Sequence, residues 1–205
     1  MRKGERTRQQ ILEIAEAAVL QKGFGGTSID ELVAEANLTK SGFLYHFRDK
    51  NQLALALIQR YIDNDRAIFD NIFDRAAELS DDPLQRMLIG LKLLAELLDD
   101  IEGGHPGCLV ATVCYQERLF DREVITLNRE AVLEWRARFR GMFDDIEEKY
   151  EPAEPQDTQD LADMITTIIE GGIVTAKALG EPPILPRQIL LLRSYIKLMF
   201  QPKNV

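Results

Sequence analysis

Three short helical patterns crowd into the first 50 residues of this chain, a length too small to bury much core alone. Apolar residues at Ile11, Ile14, Ala15 and Ala18 recur at helical spacing, and Gly23-Phe24-Gly25-Gly26 then stops the pattern. Ser28-Ile29-Asp30-Glu31 reads as a capping box, the serine accepting from a first-turn amide and the glutamate reaching back, and it opens a short helix ending near Ala36. Asn37-Leu38-Thr39 favours turns and caps, so it separates that helix from two further turns between Lys40 and Phe47. A short helix, a tight turn and a second short helix form a helix-turn-helix, in which the second helix enters the major groove of DNA and the first crosses the backbone.

The rest of the chain continues in helical period. Asp49 and Gln52 carry a further cap signature, and Ile58, Tyr61, Ile62, Phe69, Ile72, Phe73 and Ala76 describe one long helix joining two domains. Leu84, Met87, Leu88, Leu91, Leu94, Ala95 and Leu98 stripe the next helix. Residues 103–107 break the pattern, a shorter apolar segment runs from Cys108 to Phe120, and Val132 to Tyr150 forms another amphipathic helix. Two last helices are expected at about 157–179 and 186–200. No segment alternates as a strand does. The expected fold is all-α with about nine helices: a helix-turn-helix DNA-binding domain over residues 1–49, and a larger helical ligand-binding and dimerisation domain over 50–205.

Net charge is −9, which taken alone opposes a nucleic-acid partner, because phosphate binding depends on lysine and arginine. The acidity is not evenly spread: residues 1–50 sum to +1 and the remainder to −10. Arg2, Lys3, Arg6 and Arg8 cluster at the N-terminus, either as a solvated tail or as a DNA-contacting arm, and Lys40, Arg48 and Lys50 surround an aromatic stretch. Lys40-Ser41-Gly42 leads the inserted helix: lysine reaches guanine acceptors or a phosphate, serine bonds several base edges, and glycine permits close approach. Tyr45, His46 and Lys50 follow with polar tips suited to phosphate oxygens.

Thr27-Ser28-Ile29 with Leu32-Val33, then the run from Thr39 through Phe47 and on to Lys50, resembles the DNA-binding segment of the TetR family of bacterial transcriptional repressors. The resemblance implies that Thr27 or Ser28 touches phosphate, that Thr39 and Lys40 to Gly42 meet bases and nearby backbone, and that Tyr45, His46 and Lys50 hold phosphates. It also implies that Phe43 and Phe47 are buried. Many members place a phosphate-binding tyrosine where this chain has Leu44.

The same resemblance implies a small-molecule pocket in the C-terminal part. Met87, Leu91, Cys108, Tyr115, Trp135 and Phe139 are candidates because they lie on apolar stripes, and such a lining favours a hydrophobic or amphipathic effector. Leu161 to Ala178 and Ile189 to Phe200 are apolar on more than one face, which fits a homodimer built on the last two helices, and Gly171-Gly172 admits a close neighbour. A two-fold dimer reads a near-palindromic operator.

No catalytic motif, phosphate loop or metal-ligand spacing is present, so neither an enzyme nor a cofactor is expected. Cys108 and Cys114 match neither a zinc site nor a redox pair, although a thiol in the first turn of a helix is open to a redox role. With no apolar run long enough to span a bilayer and no signal peptide, a cytoplasmic protein is expected. The competing reading is a helical small-molecule-binding or interaction protein that does not use DNA.

Overall fold

In a computed structural model, which describes residues 3–203, the chain forms nine α-helices and two short strands among those residues. The helices are α1 (Lys3–Lys22), α2 (Ile29–Glu35), α3 (Lys40–His46), α4 (Lys50–Leu79), α5 (Pro83–Asp99), α6 (Leu109–Tyr115), α7 (Arg122–Lys149), α8 (Thr158–Leu179) and α9 (Ile184–Met199). Arg2 lies outside the described residues, whereas Arg6 and Arg8 are part of α1 rather than of a tail.

The chain separates into two compact units, one running up to Asp65 and including Pro106–Val132, the other made of Arg66–His105 and Leu133–Val205. In the first, α1 packs against α2 and α6, and α2 against α3. Ile11, Leu12 and Val19 of α1, Phe24 of the following loop, and Phe43 and Phe47 at the other end of the motif are all buried. So are Leu53, Leu57 and Ile58 of α4, with Leu109, Val110 and Val113 of α6. Helices α1 to α3 thus share a core with the start of α4 and with α6, which arrives from elsewhere in the sequence.

In the second unit the most extensive packing is of α9 against α5 and α8. A Cβ added at Gly172 would lie 2.8 Å from Leu185 Cδ1, so this glycine serves the approach of α8 to α9 within one chain, while Gly171 faces open space. Arg193 of α9 donates from Nε to the Leu88 carbonyl of α5 at 2.9 Å. Met87, Leu91, Phe139, Phe143, Ile165, Ile189 and Ile196 form the buried interior.

The all-α class holds, with one addition: β1 (Tyr150–Pro152) pairs antiparallel with β2 (Phe200–Pro202), Glu151 opposite Gln201. Three-residue strands are too short to display an alternating pattern. Helix α7 also begins ten residues earlier than its aromatic stripe, at Arg122. The stripe continues upward through Val124, Asn128 and Ala131, all buried, and the polar Asn128 disguises it. Its amide donates to the Val110 carbonyl at 3.2 Å and to Cys114 Sγ at 3.4 Å.

Asp65 on α4 is partly buried, and burial together with the nearby Glu16 carboxylate pushes its carboxyl up to about 7. Between pH 3.8 and about 7 the folded chain therefore keeps a proton that the unfolded chain releases, and stability from this group falls as pH rises. Asp65→Asn should remove that part of the decline, stabilising the protein at pH 8 by on the order of 1 kcal/mol after allowance for solvent screening. Urea unfolding of both proteins at pH 5 and pH 8 reads this, and equal losses across that interval would contradict it.

Candidate nucleic-acid interface

The helix-turn-helix is built by its caps. Ser28 accepts from the Glu31 amide at 3.2 Å, as expected of an N-cap. The other half of the capping box does not form: the Glu31 carboxylate pairs with Lys22 of α1 instead, and that ammonium holds its carboxyl below the usual range. Asn37 adopts a left-handed conformation with φ of 53°, which its short polar side chain tolerates, and turns the chain between α2 and α3. Thr39 then caps α3, its Oγ1 accepting from the Gly42 amide at 3.1 Å.

A seven-residue helix cannot hold itself in water, so α3 depends on its buried side. Phe43 and Phe47, the latter just past the helix end, are fully buried with ring centroids 5.8 Å apart, and the Arg8 guanidinium lies 5.0 Å from the Phe47 ring centroid. The opposite side presents Lys40, Ser41, Leu44 and Tyr45 to solvent as one exposed face. Tyr45 is 84% exposed and Leu44 45%. Leu44, read from sequence only as a missing tyrosine, is an apolar member of this face. Gly42 carries no side chain there for a local reason: an added Cβ would sit 3.2 Å from Thr39 Oγ1 and press on the cap.

The remaining candidates are placed unequally. Ser28 is exposed beside the start of α2, and His46 is half-buried with its ring edge-on to Tyr45 at 5.0 Å. Thr27 is 2% exposed and donates its hydroxyl to the Gly23 carbonyl at 2.9 Å, so its side chain is committed to the loop. The basic side chains are engaged as well. Lys40 pairs with Asp30 at 2.9 Å, Arg48 with Asp49 at 3.1 Å, and Lys50 donates to the Phe24 carbonyl, with burial lowering its pKa. These acceptors compete with phosphate for the ammonium groups of Lys40 and Lys50.

The pocket candidates fall in both units. Met87, Leu91 and Phe139 are buried in the second, where Phe139 meets Phe69 edge-on at 5.5 Å, and Trp135 is half-buried on the same helix as Phe139. Cys108 and Tyr115 belong to the first. Cys108 is the N-cap of α6, its sulfur accepting from the Ala111 amide at 3.4 Å, and Tyr115 is 81% exposed beside a surface cleft of about 680 Å³. A smaller cleft of about 240 Å³ opens in the second unit between Phe73, Pro83, Arg86 and Met142. No helix among the described residues is long and apolar enough to cross a membrane.

Removing the α3 cap tests how the exposed face is held. Thr39→Ala should destabilise the fold by about 1 kcal/mol, because the Gly42 amide loses its acceptor. Thermal unfolding monitored by circular dichroism measures the loss, and an unchanged midpoint would show that the cap does not support α3.

Residues 11–57 match the profile of bacterial regulatory proteins of the tetR family. Among curated proteins, the chain is 34% identical over 55 residues to the HTH-type transcriptional repressor NemR of Escherichia coli strain K12, a match covering 27% of this chain and 28% of that repressor. It is 24% identical over 170 residues to the transcriptional regulator AcuR of Cereibacter sphaeroides, covering 82% of this chain and 75% of that protein. Among solved structures, a TetR-family regulator from Agrobacterium tumefaciens superimposes with a TM-score of 0.79 at 14% identity, covering 97% of this chain and all of the other, which is likeness of fold. Residues 11–57 are thus a helix-turn-helix segment of the tetR-family type, and the fold of a TetR-family regulator extends over nearly the whole chain.

Proposed function

We propose that this regulator is a repressor that binds a near-palindromic operator as a homodimer and is released by a small hydrophobic or amphipathic effector. The observation that carries the DNA reading is the exposed face of α3, Lys40, Ser41, Leu44 and Tyr45, backed by the buried Phe43 and Phe47. Lys40 and Ser41 read base edges, and Leu44 offers an apolar contact suited to a thymine methyl. Tyr45, His46, Ser28 and Lys50 bond phosphates, while Thr39 and Gly42 shape the leading end and Thr27 fixes the loop before α2. Residues 1–49 carry the reading surface, and residues 50–205 carry effector binding and dimerisation.

Pairing through α8 and α9 is supported by the apolar groups these helices leave in solvent. Val174 is 49% exposed, Leu191 62%, Tyr195 50% and Leu198 74%, with the open Gly171 on α8. An isologous four-helix contact covers such a surface and places two recognition helices about one turn of DNA apart. For the effector, Met87, Leu91, Trp135 and Phe139 supply the apolar surroundings, with Cys108 and Tyr115 as further candidates. The engagement of Lys40 and Lys50 by protein acceptors favours one competing reading, a helical small-molecule-binding protein that does not use DNA.

Selection from a random double-stranded library at a stated salt concentration should enrich a near-palindromic consensus. Enrichment of nothing would favour the DNA-independent reading. With the selected operator, Lys40→Ala should weaken binding by about 1–3 kcal/mol and relax discrimination at one base position. An unaltered consensus at full affinity would remove Lys40 from the reading set. Leu191→Asp combined with Leu198→Asp should convert the protein to a folded monomer in sedimentation velocity, and a persisting dimer would place the interface elsewhere.

A further inference from the structure

The loop between α1 and α2 is held from two sides within the first unit. On one side the Gly25 amide donates to Gln116 Oε1 at 2.9 Å, and Phe24 packs edge-on against Phe120 with centroids 4.8 Å apart. The fit is close: Gly23 has a φ of 76°, and an added Cβ would lie 2.3 Å from Gln116 Nε2. Glycine is therefore demanded here twice, by its backbone and by its neighbour. On the other side the same loop offers the Phe24 carbonyl to Lys50 Nζ.

Gln116 lies between α6 and the 3₁₀ turn Glu117–Leu119, in the stretch Pro106–Val132. Both ends of that stretch run covalently into the second unit, at His105 and at Leu133. Lys50 is the one phosphate candidate of the reading surface whose ammonium is tied to this loop. We propose that Gln116 is a latch: by holding the Gly23–Gly26 loop, it keeps the Phe24 carbonyl on the Lys50 ammonium and so withholds that charge from DNA. Movement of the α6–α7 connection releases the loop, and Lys50 exchanges the carbonyl for a phosphate oxygen. Partial burial lowers the pKa of Lys50. The proposal rests on the DNA-binding reading for its consequence but not for the contact itself.

The test therefore has two readouts on the full chain. In free protein, Gln116→Leu should speed hydrogen exchange of the Gly25 amide and raise acetylation of Lys50 by acetic anhydride several-fold, with Lys40 as internal reference. Gln116→Glu retains an acceptor oxygen and should behave as the parent. Gln116→Asn, one methylene short, gives the same comparison if the leucine variant does not fold. Unchanged Lys50 reactivity in the variants lacking the contact overturns the latch, whether or not DNA is bound. On the selected operator, Gln116→Leu should bind several-fold more tightly, and the gain should vanish in a Lys50→Met background. A gain that persists without Lys50 also overturns the proposal, whereas failure of the parent protein to bind any DNA overturns the functional reading and leaves the contact to be judged on free protein.

Discussion

Burial of Phe43 and Phe47 is the constraint on which the exposed face of α3 depends. A helix of seven residues gains too few internal hydrogen bonds to offset the cost of its nucleation, so α3 exists because its inner side is packed. Each ring, wholly removed from water, contributes roughly 1.5–3 kcal/mol. The turn before the helix then fixes its direction, through the left-handed Asn37 and the Thr39 cap. With its inner side packed and its start capped, the helix leaves Lys40, Ser41, Leu44 and Tyr45 exposed on the outer face, where Lys40 and Ser41 make only exposed polar contacts with Asp30 and Thr39.

The electrostatics around this face follow from the same economy of residues. Lys22, Lys40 and Arg48 each find a carboxylate nearby, and Lys50 finds a carbonyl. Exposed pairs of this kind are weak, typically below about 1 kcal/mol, so exchange with a polyanion is not costly. Lys50 differs because its partner is a partly buried backbone oxygen on a loop that Gln116 also holds. Of the cations in the motif, it is the one whose availability depends on atoms far away in sequence.

Much of the motif was legible in sequence because its determinants are local. Ser28, Thr39 and Asp49 act on amides two or three residues ahead, and the apolar stripes of α1, α5 and α8 obey the helical period over several turns. What escaped notice is non-local or disguised. Glu31 had a competing partner in Lys22, nine residues back, which no capping rule weighs. Asn128 interrupts the stripe of α7 because its amide is satisfied by α6, and the β1–β2 ladder joins residues about 50 apart. Gly172 and Gly171 look alike in sequence, yet one meets Leu185 and the other meets nothing. Gln116 carried no local signal at all, since its partner lies 91 residues away.

The sharing of one core between the N-terminal helices and α6 bears on how such a protein can be rebuilt. A DNA reader confined to one contiguous stretch could be cut out and fused to another sensor as a cartridge. Here Leu109, Val110 and Val113 complete the interior of the unit that contains α1 to α3, and Phe120 covers Phe24. A chimera that exchanges only the first helices leaves those apolar groups facing a foreign surface. Transplanting the reader therefore means grafting two separated segments together, so its specificity and its connection to α6 are inherited as one unit.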